Sequence, residues 1–106
     1  MQEHHKIITE LKNQLQQVYG SKLRQVILFG SRARAEAEPC SDFDILVVID
    51  KEYTQKDEDQ ILDICYDLDL KYNILIDMHL ISERELTTIR GKQPIFANAF
   101  KKGIYA

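Results

Sequence analysis

Two aspartates, Asp42 and Asp44, stand two residues apart at the start of a segment that is otherwise apolar as far as Ile49. Alternate side chains of a strand share a face, so both carboxylates would point the same way, about 6 to 7 Å apart. Two unit charges at that distance repel by about 2 kcal/mol at an effective dielectric constant of about 20. A cation would offset this repulsion, and hard divalent ions such as Mg²⁺ prefer carboxylate oxygens. The pair therefore predicts a magnesium site.

A third carboxylate, Asp77, is the only acid in the apolar segment from Ile74 to Ile81. If this strand lies parallel to the first acidic strand, the two are about 4.8 Å apart and can share a metal ion. Asp50 is excluded from this metal site, because it lies about 20 Å from Asp44 along the strand. His79 shares the face of Asp77, but a single histidine is more often an ordinary polar residue at a strand end, so it is left out.

Gly30 and Ser31 follow another β-rich segment at the point where the chain must turn. Glycine allows a close backbone approach, and the serine hydroxyl and freed N–H groups can bond phosphate oxygens. A helical turn that begins here would direct its positive end at them. With the acidic pair, these features indicate a polyphosphate bound to two metal ions for in-line phosphoryl or nucleotidyl transfer.

The spacing of these motifs is more specific than either motif alone. The aspartate pair by itself would also suit a turn cap and a solvated strand end. Here the glycine–serine pair, ten residues and then Asp42-Phe43-Asp44 follow one another, and this resembles the GS-x10-DxD signature of the DNA polymerase β-like nucleotidyltransferase superfamily. The phrase GSRARAEAEPCSDFDILVV looks like its minimal nucleotidyltransferase branch, the MntA-like proteins, and the resemblance covers essentially the whole chain. Ala35 departs from a glycine that is frequent in the family, with little expected consequence.

The resemblance implies transfer of a nucleoside monophosphate, usually AMP from ATP, to a hydroxyl group. The glycine–serine pair would hold the β- and γ-phosphates, and Arg32 would help to neutralise triphosphate charge. Asp42 and Asp44 would hold two Mg²⁺ ions, and Asp77 the ion that activates the nucleophile. Family members of this size often act as antitoxins that transfer AMP to a tyrosine of a HEPN-domain toxin, so such a toxin is the expected partner.

Two other functions stay open at this point. The chain could neutralise a toxin by contact alone, although the intact acidic motif argues against a decayed site. It could instead modify a small molecule such as an aminoglycoside. A polymerase or tRNA-tailing enzyme is disfavoured, because the residues after Asp77 leave no room for a domain that holds long nucleic acid, and the net charge of −3 gives no general attraction to it.

Strands and helices must position these groups, and the sequence predicts a mixed three-stranded sheet flanked by helices, of the α/β (α+β) class. The predicted order is helix, strand, strand, helix, strand, helix, helix. Capping boxes at Thr54 and Ser82 begin the second and third helices. The strand and helix boundaries that the pattern predicts are a first helix ending at Gly20, strands Leu23–Phe29, Phe43–Ile49 and Ile74–Ile81, a short helix ending at Gly91 and a last helix from Pro94 to Gly103.

Composition sets the remaining expectations. A chain of 106 residues with 44% hydrophobic and 29% charged residues is typical of one globular domain, here residues 1–106. Cys40 and Cys65 have neither zinc-site spacing nor a disulfide framework, which fits a reducing cytoplasm. No apolar run is long enough for a signal peptide or a membrane span. Asp63 and Asp67 read as a solvated helix face, and the oligomeric state is left open.

Overall fold

The computed structural model describes residues 2–29, 43–88 and 92–106, with side chains from residue 5 onward. Within these ranges the chain forms three α-helices and four strands, and two short 3₁₀-helices, Gly20–Lys22 and Glu83–Thr87, lie between them. The helices are α1 (Gln2–Tyr19), α2 (Gln55–Tyr72) and α3 (Pro94–Lys102), and the strands are β1 (Leu23–Phe29), β2 (Phe43–Ile49), β3 (Ile76–Ser82) and β4 (Ile104–Tyr105).

The strands form one mixed sheet in the order β3-β2-β1-β4. β1 is antiparallel to both of its neighbours, whereas β2 and β3 run parallel, joined by α2. A helix is the usual connection between parallel strands because the chain must return to the same end of the sheet. The predicted α/β class, mixed sheet and helix order are confirmed.

The structure differs from the prediction in one strand and two boundaries. The sheet has a fourth strand, β4, whose two residues pair with Ile27 and Leu28 of β1. β3 begins at Ile76 rather than Ile74, because Asn73 adopts a left-handed conformation and the N–H of Ile74 still bonds to Asp69 in the preceding helix. The short helix after β3 is a 3₁₀-helix that ends at Thr87, and its predicted end, Gly91, lies outside the described residues.

Each face of the sheet has its own apolar core. α1 and α2 cover one face with residues at helical spacing, and α3 covers part of the other. Cys65 is buried in the first core, where burial and then Asp69 raise the pKa of its thiol to about 12. The buried residues of the second core are Ile27, Phe29, Leu46, Val48, Ile81, Phe96 and Ala99. Of the apolar residues near the C terminus, Phe96 is buried in this core and Phe100 packs against it, whereas Tyr105 is exposed.

No described helix combines the length and the apolar character that a membrane span requires.

The start of α2 is held by a capping box between Thr54 and Asp57. Asp57 accepts a hydrogen bond from the N–H of Thr54 at 2.9 Å, one from Lys51 Nζ at 3.0 Å and one from the hydroxyl of Tyr19 at 3.1 Å. These donors, the backbone N–H of Thr54 first, lower the pKa of Asp57 below its usual value of 3.8. The carboxylate therefore ties the first turn of α2 to the end of α1.

We expect Asp57→Asn to lower the free energy of unfolding by about 1 kcal/mol at pH 7, the usual cost of a lost cap. A carboxylate whose pKa is lower in the folded than in the unfolded state stabilises the fold fully at a pH above its unfolded-state pKa. This stabilisation is lost as the pH falls through its folded-state pKa. The difference between parent and variant should thus be full above the usual value of 3.8 and shrink in stronger acid. Urea unfolding at several pH values measures it, and Asp63→Asn on the exposed face of α2 is the matched control. A difference that does not change with pH would contradict this role of the charge.

Candidate active site

Asp44 and Asp77 are neighbours across two parallel strands. Each is the second residue of its strand, and the register of β2 and β3 pairs them directly. Alternation along the strands puts both on the face that carries Leu46 and Ile81, which is the face covered in part by α3. Asp77 is 53% exposed and Asp44 is partly exposed. The two carboxylates therefore lie at the open edge of the second apolar core.

Three side chains converge at this edge. Asp44, Asp77 and His79 each offer one ligand atom, and these atoms all lie within 4.8 Å of one another. Within residues 2–29, 43–88 and 92–106, no other group of three or more His, Cys, Asp or Glu side chains meets this criterion. Carboxylate oxygens are the preferred ligands of Mg²⁺, so the donor set and its spacing fit a divalent cation.

His79 lies two residues further along β3 than Asp77, so it is on the same face of the sheet and nearer the apolar core. Its side chain is 24% exposed, and its Nε2 atom is 3.5 Å from Asp77 Oδ2. The imidazole ring also contacts the ring of Phe29, with centroids 5.6 Å apart and an interplanar angle of 52°. The sequence shows that His79 shares a face with Asp77, as residues two apart do in any strand, but the prediction left this histidine out of the site because a single histidine is more often an ordinary polar residue.

The other predicted site residues, Gly30, Ser31, Arg32 and Asp42, lie outside the described residues. Their roles stay predictions. Phe29, the last described residue before them, pairs with Asp44 across β1 and β2.

The acids excluded by the sequence argument lie elsewhere. Asp50 follows the far end of β2 and bonds to Arg24 Nη2 at 3.0 Å. Arg24 also approaches Glu83 at 3.5 Å, so this end of the sheet carries a partly exposed ion-pair cluster. Asp63 and Asp67 are exposed on α2, as the solvated-face interpretation requires. These carboxylates do not share the edge where Asp44 and Asp77 meet.

Known proteins resemble this chain over most of its length. The family model described as Polymerase beta, Nucleotidyltransferase matches residues 5–104. A Methanocaldococcus jannaschii protein named "putative protein adenylyltransferase" is 38% identical over 98 residues, which are 92% of this chain and 92% of that protein.

Two solved structures share the fold. A chain in a crystal structure of a toxin–antitoxin with AMP-PNP superposes with a TM-score of 0.58 at 19% identity, over 91% of this chain and 69% of that chain. A structure described as a "putative minimal nucleotidyltransferase" gives a TM-score of 0.59 at 24% identity, over 96% of this chain and 92% of that chain. The family match and the identity to the M. jannaschii protein agree with the sequence motif, and the chain belongs to the polymerase beta nucleotidyltransferase family.

Proposed function

We propose that this nucleotidyltransferase moves AMP from ATP to a hydroxyl group of a partner protein, a HEPN-domain toxin, and so acts as its antitoxin. The hydroxyl oxygen, which we assign to a tyrosine, forms a bond to the α-phosphorus. The bond from that phosphorus to the bridging oxygen breaks, pyrophosphate leaves, and the hydroxyl proton passes to a base. Residues 1–106 form the single catalytic domain in this proposal.

The observation that carries the proposal is the direct pairing of Asp44 and Asp77 in the register of β2 and β3. Like charges opposite one another in a sheet repel, and a bound divalent cation would offset that cost. Asp44 and Asp77, together with Asp42, would hold two Mg²⁺ ions. Bound there, Mg²⁺ supplies charge stabilisation at the attacking and leaving oxygens of an in-line displacement.

The chain's own residues would orient the nucleotide. Ser31 follows Phe29 by two residues, and two residues span at most about 7 Å. Phe29 pairs with Asp44, so the length of the chain would allow Gly30 and Ser31 to reach a triphosphate whose metal ions were held at the carboxylates. In this arrangement Gly30 and Ser31 bond the β- and γ-phosphates, and Arg32 offsets their charge.

Two comparisons support a protein acceptor. The M. jannaschii relative is named a protein adenylyltransferase, and one structural neighbour is a toxin–antitoxin that contains AMP-PNP, an ATP analogue. The name of the relative supports AMP as the transferred group and a protein as the acceptor, and the structural neighbour supports a toxin as the partner.

The deciding experiment incubates the chain with Mg²⁺, α-labelled ATP and a purified HEPN-domain toxin. We expect label on that protein from α-labelled but not γ-labelled ATP, and a mass increase of one AMP group per modified site. Toxin neutralisation without label would instead establish inhibition by contact. Label on an aminoglycoside and not on the protein would establish a small-molecule acceptor, and both results would contradict the proposal.

A further inference from the structure

His79 occupies the boundary between the acidic edge and the apolar core. On its outer side lies Asp77, two residues earlier in β3, and on its inner side lies Ile81, a buried residue of the core. Contact with the buried ring of Phe29 limits the positions that the imidazole can take. The ring is therefore oriented by apolar contacts, with Nε2 near the carboxylate of Asp77.

Nε2 is a buried polar atom with no hydrogen-bond partner in the described part of the chain. The 3.5 Å separation from Asp77 Oδ2 places the two atoms within ion-pair distance but does not make a hydrogen bond. Buried polar atoms almost always have a partner, so an isolated one needs an explanation. The same atom type is a common metal ligand when the imidazole is neutral.

The spacing of the three side chains suits one ion. Three ligand atoms at about 2.1 Å from one ion lie about 3.0 to 3.6 Å from one another. The ligand atoms of Asp44, Asp77 and His79 lie within 4.8 Å of one another, and His79 Nε2 is 3.5 Å from Asp77 Oδ2, so side-chain rotations that move these atoms by less than about 1 Å bring them into one coordination shell. Two oxygens and one nitrogen form a mixed donor set.

We propose that His79 coordinates, through Nε2, the ion held by Asp44 and Asp77, so that this position prefers a first-row transition ion such as Mn²⁺ over Mg²⁺. The inference rests on the proposed function, because that function places a divalent ion at the two carboxylates. Mg²⁺ favours all-oxygen surroundings, whereas first-row transition ions, of which Mn²⁺ is the weakest binder, gain affinity from an imidazole nitrogen. A histidine ligand therefore gives the site a metal preference that the carboxylates alone would not give.

Metal binding to the untagged protein tests this directly. Mn²⁺ and Mg²⁺ are titrated separately by calorimetry into the parent, His79→Gln and His79→Phe. The glutamine offers an oxygen but no ligating nitrogen, and the phenylalanine keeps the apolar contact with Phe29. We expect either variant to bind Mn²⁺ at least about tenfold more weakly, since even outer-shell changes cost that much. Mg²⁺ affinity should change less in His79→Gln, so that the preference for Mn²⁺ is lost.

Pulsed electron paramagnetic resonance on bound Mn²⁺ gives a second readout that a structural role would not affect. Inorganic triphosphate is added in one set of samples, because it has no nitrogen of its own. The parent should show nitrogen modulation from a coordinated imidazole, and both His79 variants should lack it. His5→Gln, at an exposed histidine of α1, is the matched control and should behave as the parent does.

Each result separates this inference from the proposed function. Equal Mn²⁺ affinity in parent and variants, equal losses for both metals, or nitrogen modulation that persists without His79 would overturn the histidine ligand and leave the carboxylate site intact. A parent protein that binds neither ion, with or without triphosphate, would overturn both the histidine ligand and the metal site. AMP transfer is measured separately, so its absence in a protein that binds Mn²⁺ through His79 would count only against the proposed reaction.

Discussion

Asp44→Asn will slow AMP transfer by at least about a thousandfold. Charge stabilisation by a bound divalent ion contributes several kcal/mol to a phosphoryl-transfer transition state, and each 1.36 kcal/mol is about tenfold in rate. An asparagine keeps the shape of the side chain but loses the charge that would hold the ion. Initial rates with α-labelled ATP and the proposed toxin acceptor, at saturating Mg²⁺, measure the effect.

Asp50→Asn is the matched control, because it makes the same chemical change just beyond the opposite end of β2. Its carboxylate pairs with Arg24 at the partly exposed cluster, where such a pair contributes about 0 to 1 kcal/mol. We expect its transfer rate to match that of the parent. A transfer rate for Asp44→Asn within about tenfold of the parent would remove Asp44 from the reaction and leave the acidic edge without a catalytic role.

The same variant should also change how the stability of the fold depends on the divalent ion. Asp44 and Asp77 repel each other across neighbouring strands, and a bound cation offsets that repulsion in the parent. Removing the divalent ion with a chelator should therefore lower the urea midpoint of the parent by more than that of Asp44→Asn, because only a state that binds the ion is stabilised by it. Equal shifts in the two proteins would contradict an ion held by Asp44.

The sequence predicted that the acidic side chains meet at one edge of the sheet, because the pattern of apolar residues shows where the strands and the helix between them lie. The apolar runs around Asp44 and Asp77 indicated strands, and the helix between them required a parallel pair. Parallel neighbours with the acids at corresponding positions then had to bring the carboxylates together, as the register shows. The capping boxes at Thr54 and Ser82 were equally predictable, because each depends only on residues three apart.

Features that depend on contacts between distant segments were not predictable in this way. β4 has only two residues, too few for an alternating pattern, and it exists because its backbone finds an open edge of β1. The orientation of His79 depends on Phe29, fifty positions earlier in the chain and two strands away in the sheet. The late start of β3 depends on Asp69, which accepts hydrogen bonds from the N–H groups of Ile74 and Ile76.

Gly103→Ala will destabilise the fold by about 3 kcal/mol, at the upper end of the cost of overfilling a core. The backbone angles of Gly103 are φ −76° and ψ 165°, so alanine meets no conformational obstacle there. The obstacle is space: an added Cβ would lie 2.2 Å from Ile27 Cγ2 and 2.4 Å from the carbonyl oxygen of Ala99. Thermal unfolding should show a fall in Tm of roughly 12 to 24 °C for this change.

The cost is large because the chain cannot yield on either side. Ile27 is fully buried in the second core, and the carbonyl of Ala99 belongs to α3 and accepts the N–H of Gly103 at 2.9 Å. To relieve the clash with the added Cβ, β4 would have to move away from β1, and this would break the hydrogen bond from Ala106 N–H to the carbonyl of Val26. The substitution thus acts on the junction of α3 with the sheet.

Gly20→Ala separates crowding from backbone strain. Gly20 has φ +55° and nothing within 4 Å of an added Cβ, so alanine there meets strain of roughly 1 to 2 kcal/mol but no clash.

In the double variant Ile27→Ala with Gly103→Ala, the new methyl group fills part of the space left by Ile27, so the combined loss of stability should be smaller than the sum of the single losses. Losses that simply add, or a larger loss for Gly20→Ala than for Gly103→Ala, would show that β4 is not held against β1 at this glycine. The cost of a methyl group at Gly103 therefore has two sources, the side chain of Ile27 and the carbonyl oxygen of Ala99.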